Sequence, residues 1–350
     1  MLDPAALFAT CTDIDAASAG TASPRFRSHV AHTAPPDPAA RFAQLARLRA
    51  LCPDQGAQLP PASLKALLAL AAAWRDWPLA LAAGERLHGT NGLDDQDTLH
   101  LIDACRALGK AGRALELASG LQVRAPDEGR YARLLDALRS WRDWRAGFPS
   151  IDDAGGAAEL ALEPLAHHHA GDFRWQYHDP AIAALCCLPV FTDELDWHYW
   201  LADVWRAGNR LPHAVLHREW GFIGCVSLAV HRDVGFFYYW LGRDFQGRGH
   251  GPRAGALLLS LAQQAYGLRC CYAKVYDHNL RSRRGLEKMG FADLGLRGAG
   301  EDCNQVFYRR GPAQARRRIV GELHWLLECM DAQVRPAPQP AASCTDATSA

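Results

Sequence analysis

Gln246-Gly247-Arg248-Gly249-His250-Gly251 places three glycines between two segments of different periodicity. Ahead of it runs the aromatic stretch Phe236-Phe237-Tyr238-Tyr239-Trp240-Leu241, which reads as a strand. Behind it Ala254, Leu257, Leu258, Leu261, Ala262 and Ala265 recur at the spacing of one helix face. Pro252 suits the first position of that helix, where its missing N–H costs nothing. A glycine turn that leads from a strand into a helix N-terminus presents free backbone N–H groups. The helix dipole favours an anion there, and glycine allows close approach. The chemistry this loop suits is the holding of phosphate.

Two nucleotide signatures fit poorly. In the dinucleotide register the glycines would be Gly247, Gly249 and Pro252, so the third fails, and Asp277 lies 30 residues beyond Gly247 rather than near 20. The Gly-Lys-Ser/Thr of a Walker loop does not occur. Gln246-x-x-Gly249-x-Gly251, however, is similar to the Q/R-x-x-G-x-G/A loop of the GNAT acetyltransferase superfamily. A second segment follows one helix and one strand later. Asn279-Leu280-Arg281-Ser282-Arg283-Arg284-Gly285-Leu286-Glu287-Lys288-Met289-Gly290-Phe291 resembles that family's N-x-x-S-x-x-x-L-E-K-x-G-F. The resemblance covers roughly residues 158–312 and is closest to the branch containing the ribosomal-protein N-terminal acetyltransferases. The second segment also makes sense as a bare helix, with Asn279 as N-cap, Gly290 as a left-handed C′ residue and Phe291 packing back on Leu286.

The resemblance implies acyl transfer from acetyl-CoA to a primary amine and assigns residues to it. Gln246, Gly247, Arg248, Gly249, His250 and Gly251, with Pro252 and Arg253 behind them, would hold the pyrophosphate of coenzyme A. The backbone at Leu241 and Gly242 would pair with the pantetheine arm and polarise the thioester carbonyl, and Asn279 would touch that arm. Many members carry a tyrosine seven positions after the asparagine. Leu286 stands there; in the branch this chain resembles, the serine matching Ser282 is the candidate to protonate the thiolate, and Ser282 is also readable as a first-turn serine making a local bond. Glu301 and, as an alternative, Glu219 are the candidate general bases, and either is also readable as a solvated carboxylate. Tyr238 and Tyr239 point to opposite faces of their strand, and one of them is placed to line an acceptor cleft.

The rest of the chain bounds this reading. With 350 residues and 49% hydrophobic content it has room for two cores. A net charge of zero gives no reason to expect nucleic acid or membrane as partner. The 11 cysteines form no CxxC pair and no evident disulfide framework. No metal is expected either, since His167-His168-His169 lacks a second ligand pair at standard spacing and reads as a solvated turn before a helix. No apolar run reaches the length of a membrane span and no signal peptide is evident, so a cytoplasmic location is expected. Residues 1–40 and 335–350 have the composition of disordered ends.

Residues 41–150 read as helices throughout. Trp74-Arg75-Asp76-Trp77 returns as Trp141-Arg142-Asp143-Trp144, 67 positions later, and Ala80-Leu81 aligns with Ala114-Leu115 at 34. That period resembles a short tetratricopeptide-like array, which would bind a protein or peptide acceptor or serve as scaffold. The expected fold is therefore an all-α helical-repeat domain over 41–150, followed by an α/β GNAT fold over 158–312. Its sheet is expected to be mixed and mostly antiparallel, with hairpin strands at 214–217 and 222–228, a central βαβ unit and a last strand at 304–309. One more helix is expected over 313–334. The function expected is an acetyl-CoA-dependent N-acetyltransferase; the alternative is a coenzyme A-binding protein without turnover that acts through its helical repeats.

Overall fold

A computed structural model describes residues 59–146, 150–152, 158–186, 188–332 and 334–338. The expected disordered segment 1–40, and the tail beyond 338, lie outside the described residues. The chain forms two compact units. The first runs through Asp203 and adds His213–Cys225 and Leu241–Phe245; the second comprises Val204–Pro212, Val226–Trp240 and the chain from Gln246 on.

The first unit opens with five helices: α1 (Pro61–Ala73), α2 (Trp77–Gly89), α3 (Asp95–Ala107), α4 (Ala111–Arg124) and α5 (Gly129–Arg145). Their starts repeat every 34 residues, at 61 and 95, at 77 and 111, and at 95 and 129. Local chemistry sets these starts. Pro61 opens α1, Asp76 caps α2 by accepting from the Leu79 N–H at 3.3 Å, and Asp94 and Asp97 cap α3 reciprocally. Leu68, Ala71, Trp77, Ala83 and Leu87 bury one apolar seam, and Leu101, Ile102, Leu121, Tyr131 and Leu138 bury the next. The repeated tetrapeptide is not structurally repeated. Its first copy is the corner between α1 and α2, whereas its second lies inside α5.

Next come β1 (Ser150–Asp152), β2 (Ala158–Pro164), a 3₁₀ turn at His167–His169, α6 (Ala170–Tyr177), α7 (Pro180–Ala183) and α8 (Glu194–Ala207). The strands β3 (Arg210–His217), β4 (Gly221–His231) and β5 (Val234–Leu241) each give residues to both units. In the first unit β1 pairs with β2 and β2 with β3, both antiparallel, with Leu160 opposite His217.

The second unit continues with α9 (His250–Tyr266), β6 (Cys270–Tyr276), α10 (Leu280–Lys288), β7 (Ala292–Gly298), β8 (Gln305–Arg310), α11 (Arg316–Cys329) and β9 (Pro336–Pro338). Its strands run in the order β4-β5-β6-β8-β7-β9. The β5-α9-β6 segment is the central βαβ unit, with β5 and β6 parallel; β8 is antiparallel to both β6 and β7. The sheet is thus mixed and mostly antiparallel. Phe236, Tyr272, Phe307, Leu323 and Leu326 build its core under α11.

Three expectations need correction here. The strand β7 was not foreseen, because Gly295 takes a left-handed φ of 60° and a register shift between Asp293 and Arg297 breaks the alternation. Residues 336–338 pair with β7 as an edge strand, so the expected disordered tail begins too early at 335; proline is tolerated at an edge. Finally, α9 starts at His250, so Pro252 is its third residue, still within the turn whose N–H groups have no helical partner.

Candidate functional site

The glycine loop and the second motif both lie in the second unit. Gly247 and Gly249 have φ of 81° and 83°. Side-chain-bearing residues avoid that region, so the loop's path requires glycine there. Gly249 is the N-cap of α9, and its carbonyl accepts the first helical bond from the Arg253 N–H at 3.3 Å. Among the described residues no backbone carbonyl takes the N–H of Gly247, Arg248 or Gly249. These donors, at the positive end of a 17-residue helix, are what an anion would meet. Arg248 is exposed, Arg253 half-buried, and His250 and Gly251 are buried behind the loop.

α10 is fixed at both ends as its sequence dictates. Asn279 accepts the Ser282 N–H at 3.1 Å. At the other end Gly290 (φ 82°) donates to Glu287 O at 2.9 Å and Phe291 to Leu286 O at 3.1 Å, a Schellman closure. Arg281 donates to the Gln246 side chain, so the start of α10 and the loop are joined directly. Leu286 is buried, and no tyrosine stands in its place.

One further hydroxyl reaches this region. Tyr239, stacked on Phe237, donates to Ser282 O at 3.5 Å, and burial raises its pKa. It lies against Gly285, where a Cβ would sit 2.3 Å from the Tyr239 oxygen. Tyr238, on the opposite face, packs on Phe236 and is partly exposed. The signal for Tyr239 was a glycine inside a helix, which usually marks close approach.

β5 and β6 pair from Val234/Cys270 to Phe237/Ala273 and no further, although β5 continues to Leu241 and β6 to Tyr276. The parallel pair therefore opens over Tyr238–Trp240, while β6 stays paired to β8 through Tyr276.

The other assigned residues are scattered. Leu241 ends β5 and is buried in the first unit. Gly242 donates to Ile223 O at 2.9 Å, and a Cβ on it would displace the Gln176 side-chain oxygen, 1.8 Å away. Glu301 is exposed on a 3₁₀ turn between β7 and β8 rather than on a strand, and among the described residues no hydrogen bond or ion pair joins it to Ser282 or the loop. Glu219 is exposed in the β3–β4 turn of the first unit, where its N–H donates to His217 at 3.1 Å.

The histidine run departs from the expected solvated turn. His169 is 4% exposed and lies with His168 beside Glu163, whose carboxylate pairs with Arg145 of α5. Burial alone would raise Glu163, yet His168, His169 and Arg145 together hold it below the usual carboxylate range. Burial, helped by the charges of His169 and Arg106, pushes His168 down to about 3. Arg145 supplies the countercharge that Glu163 requires in the interior.

Residues 159–292 match the family described as the acetyltransferase (GNAT) domain. Similar solved structures include the microcin C7 self-immunity acetyltransferase MccE in complex with acetyl-CoA and AMP, at 19% identity and TM-score 0.40, over 44% of this chain and 93% of that one. The ribosomal-protein-S5-alanine acetyltransferase of Vibrio fischeri matches at 17% and 0.41, over 46% and 96%. RimJ of Mycobacterium smegmatis in complex with CoA-disulfide matches at 19% and 0.39, over 47% and 88%. No curated protein matches the chain. No helix among the described residues is long and apolar enough to cross a membrane.

Proposed function

We propose that the protein transfers an acetyl group from acetyl-CoA to a primary amine. The observation that carries this is the loop Gln246–Gly251, with two left-handed glycines and unbonded N–H groups at the start of α9, inside a domain of the acetyltransferase family. The loop N–H groups, with Arg248 and Arg253, hold the pyrophosphate. The edge of β5 that opens over Tyr238–Trp240 and runs on to Leu241 takes the pantetheine arm and polarises the thioester carbonyl, Gly242 follows it with its own N–H held by Ile223 O, and Asn279 flanks the arm. The amine nitrogen attacks that carbonyl, the C–S bond breaks, and the thiolate takes a proton. Ser282 is the acid in this scheme, with the Tyr239 hydroxyl beside it. Glu301 or Glu219 takes the amine proton, directly or through water.

Leu286 in the tyrosine position favours a second reading, coenzyme A binding without turnover. Thiol release on mixing acetyl-CoA with a panel of amines separates the two. Turnover that drops at least tenfold in Ser282→Ala or Glu301→Gln, with acetyl-CoA still bound, supports the acid and base assignments. Undiminished turnover in both removes them, and no amine-dependent release from the unaltered protein favours the binding-only reading.

A further inference from the structure

Asp172, Gln176 and Asp179 stand at i, i+4 and i+7 on and just beyond α6, so they lie along one stripe of the helix. The residues between them, Phe173, Trp175 and Tyr177, are buried in packing. The polar stripe is held at both ends by other elements of the first unit.

At its start Asp172 is 6% exposed and is gripped by the helical region. Arg75 donates to it at 3.2 Å, and the Trp77 indole N–H donates to the same oxygen at 2.9 Å. The Arg75 guanidinium also lies over the Trp77 ring, 5.6 Å from its centre. Arg75 reaches this position from a left-handed φ of 55°, a conformation that side-chain-bearing residues enter at a cost. Gly171 leaves room for it, since a Cβ there would displace the guanidinium, 1.9 Å away. One turn further along α6, Gln176 donates to Phe222 O at 2.6 Å, and its side-chain oxygen lies against Gly242. Asp179, also buried, then pairs with Arg243 at 3.1 Å. Gly242 and Arg243 are where the chain leaves β5 on its way to Gln246 and the glycine loop.

A buried ion pair contributes little net stability, because desolvation offsets the attraction. What the two pairs fix here is the place of α6 between the α1–α2 corner and the end of β5. We propose that Asp172 and Gln176 are positioning residues for the transfer. The corner anchors α6, and α6 in turn sets the Gly242–Arg243 step and with it the end of the β5 edge that takes the pantetheine arm. The helical region thereby acts on the reaction without touching either substrate. This rests on the acetyltransferase reading above and adds the role of the helical region in it.

The test uses the full chain. Arg75→Ala and Gly171→Ala both take the guanidinium off Asp172, the second by a substitution that suits a helix. Gln176→Ala removes the contact with the end of β5. Turnover is expressed per site titrated with 3′-phospho-ADP, the half of coenzyme A that carries the pyrophosphate without the arm. Each variant should lower kcat per site about tenfold, the scale of a small misplacement of reacting groups, with 3′-phospho-ADP affinity within about twofold. Arg75→Lys shares the left-handed position but keeps a cation, and should recover most of the loss. The Arg75→Ala/Gln176→Ala double variant should be no slower than the slower single variant, as for two steps of one path. Fewer sites at unchanged kcat per site would mark a merely structural role and overturn the proposal, as would a double variant whose losses multiply. Either result leaves the acetyltransferase reading standing. That reading fails instead if the unaltered chain binds no acetyl-CoA. Deuterium exchange then decides the coupling alone: Arg75→Ala should speed exchange in residues 241–245 at least about tenfold and leave β6 unchanged, and equal exchange in residues 241–245 refutes it.

Discussion

Lowering the pH from 7.5 to 5.5 should cost the protein stability through His168. Burial is the main reason this imidazole is neutral in the folded chain, and the charges of His169 and Arg106 reinforce it. Glu163 opposes the shift but is itself committed to Arg145. The Trp144 ring closes the site edge-on. Unfolded, the same side chain has a pKa of 6.5; folded, about 3. Its contribution is therefore complete above 6.5 and is lost as the pH falls toward 3, because the unfolded chain takes up the proton first. At pH 5.5 the folded form is still neutral, so the loss is set by the unfolded value and amounts to about 1.4 kcal/mol. Glu163, also depressed, contributes above its unfolded value of 4.5 and loses that only below it, outside this window. Guanidinium unfolding at the two pH values, on wild type and His168→Gln, isolates the group, since the other histidines cancel in the difference. Wild type should lose about 1.4 kcal/mol more than the variant between pH 7.5 and 5.5. Equal losses would refute the assignment of His168 as a buried neutral imidazole.

Gly285→Ala should destabilise by about 1–3 kcal/mol despite alanine's better helix propensity, because its Cβ would meet the Tyr239 oxygen at 2.3 Å. In a Tyr239→Phe background most of that cost should vanish, which a double-mutant unfolding cycle measures. Trp77→Phe removes the indole donor to buried Asp172 and should cost about 1–3 kcal/mol in the same assay; an unchanged unfolding midpoint would mean Arg75 alone satisfies that carboxylate.

What the sequence disclosed was local. The caps of α10, the glycine loop and the 34-residue helix period are each encoded by residues a few positions apart, so spacing alone revealed them. β7 stayed hidden because its bulge at Gly295 breaks the two-residue alternation that announces a strand. The Glu163 cluster stayed hidden because Arg145 and His169 reach Glu163 from opposite sides in the chain, and nothing in a run of three histidines says that it is buried. The Trp74–Trp77 tetrapeptide misled in a different way. Its second copy suggested a repeat unit, but α5 continues through that position, and the first copy is distinguished by the left-handed Arg75 and by its partner Asp172, 97 residues on. Candidate bases were the weakest inference for the same reason, since an exposed carboxylate such as Glu219 or Glu301 carries no local mark of catalysis.

Calorimetric titration with acetyl-CoA tests the central claim most directly. Saturable, single-site binding is expected for the unaltered chain and its loss in Gly249→Trp, where a side chain is forced into a left-handed position at the start of α9. Absence of binding to the unaltered chain, or equal binding by the variant, would contradict it.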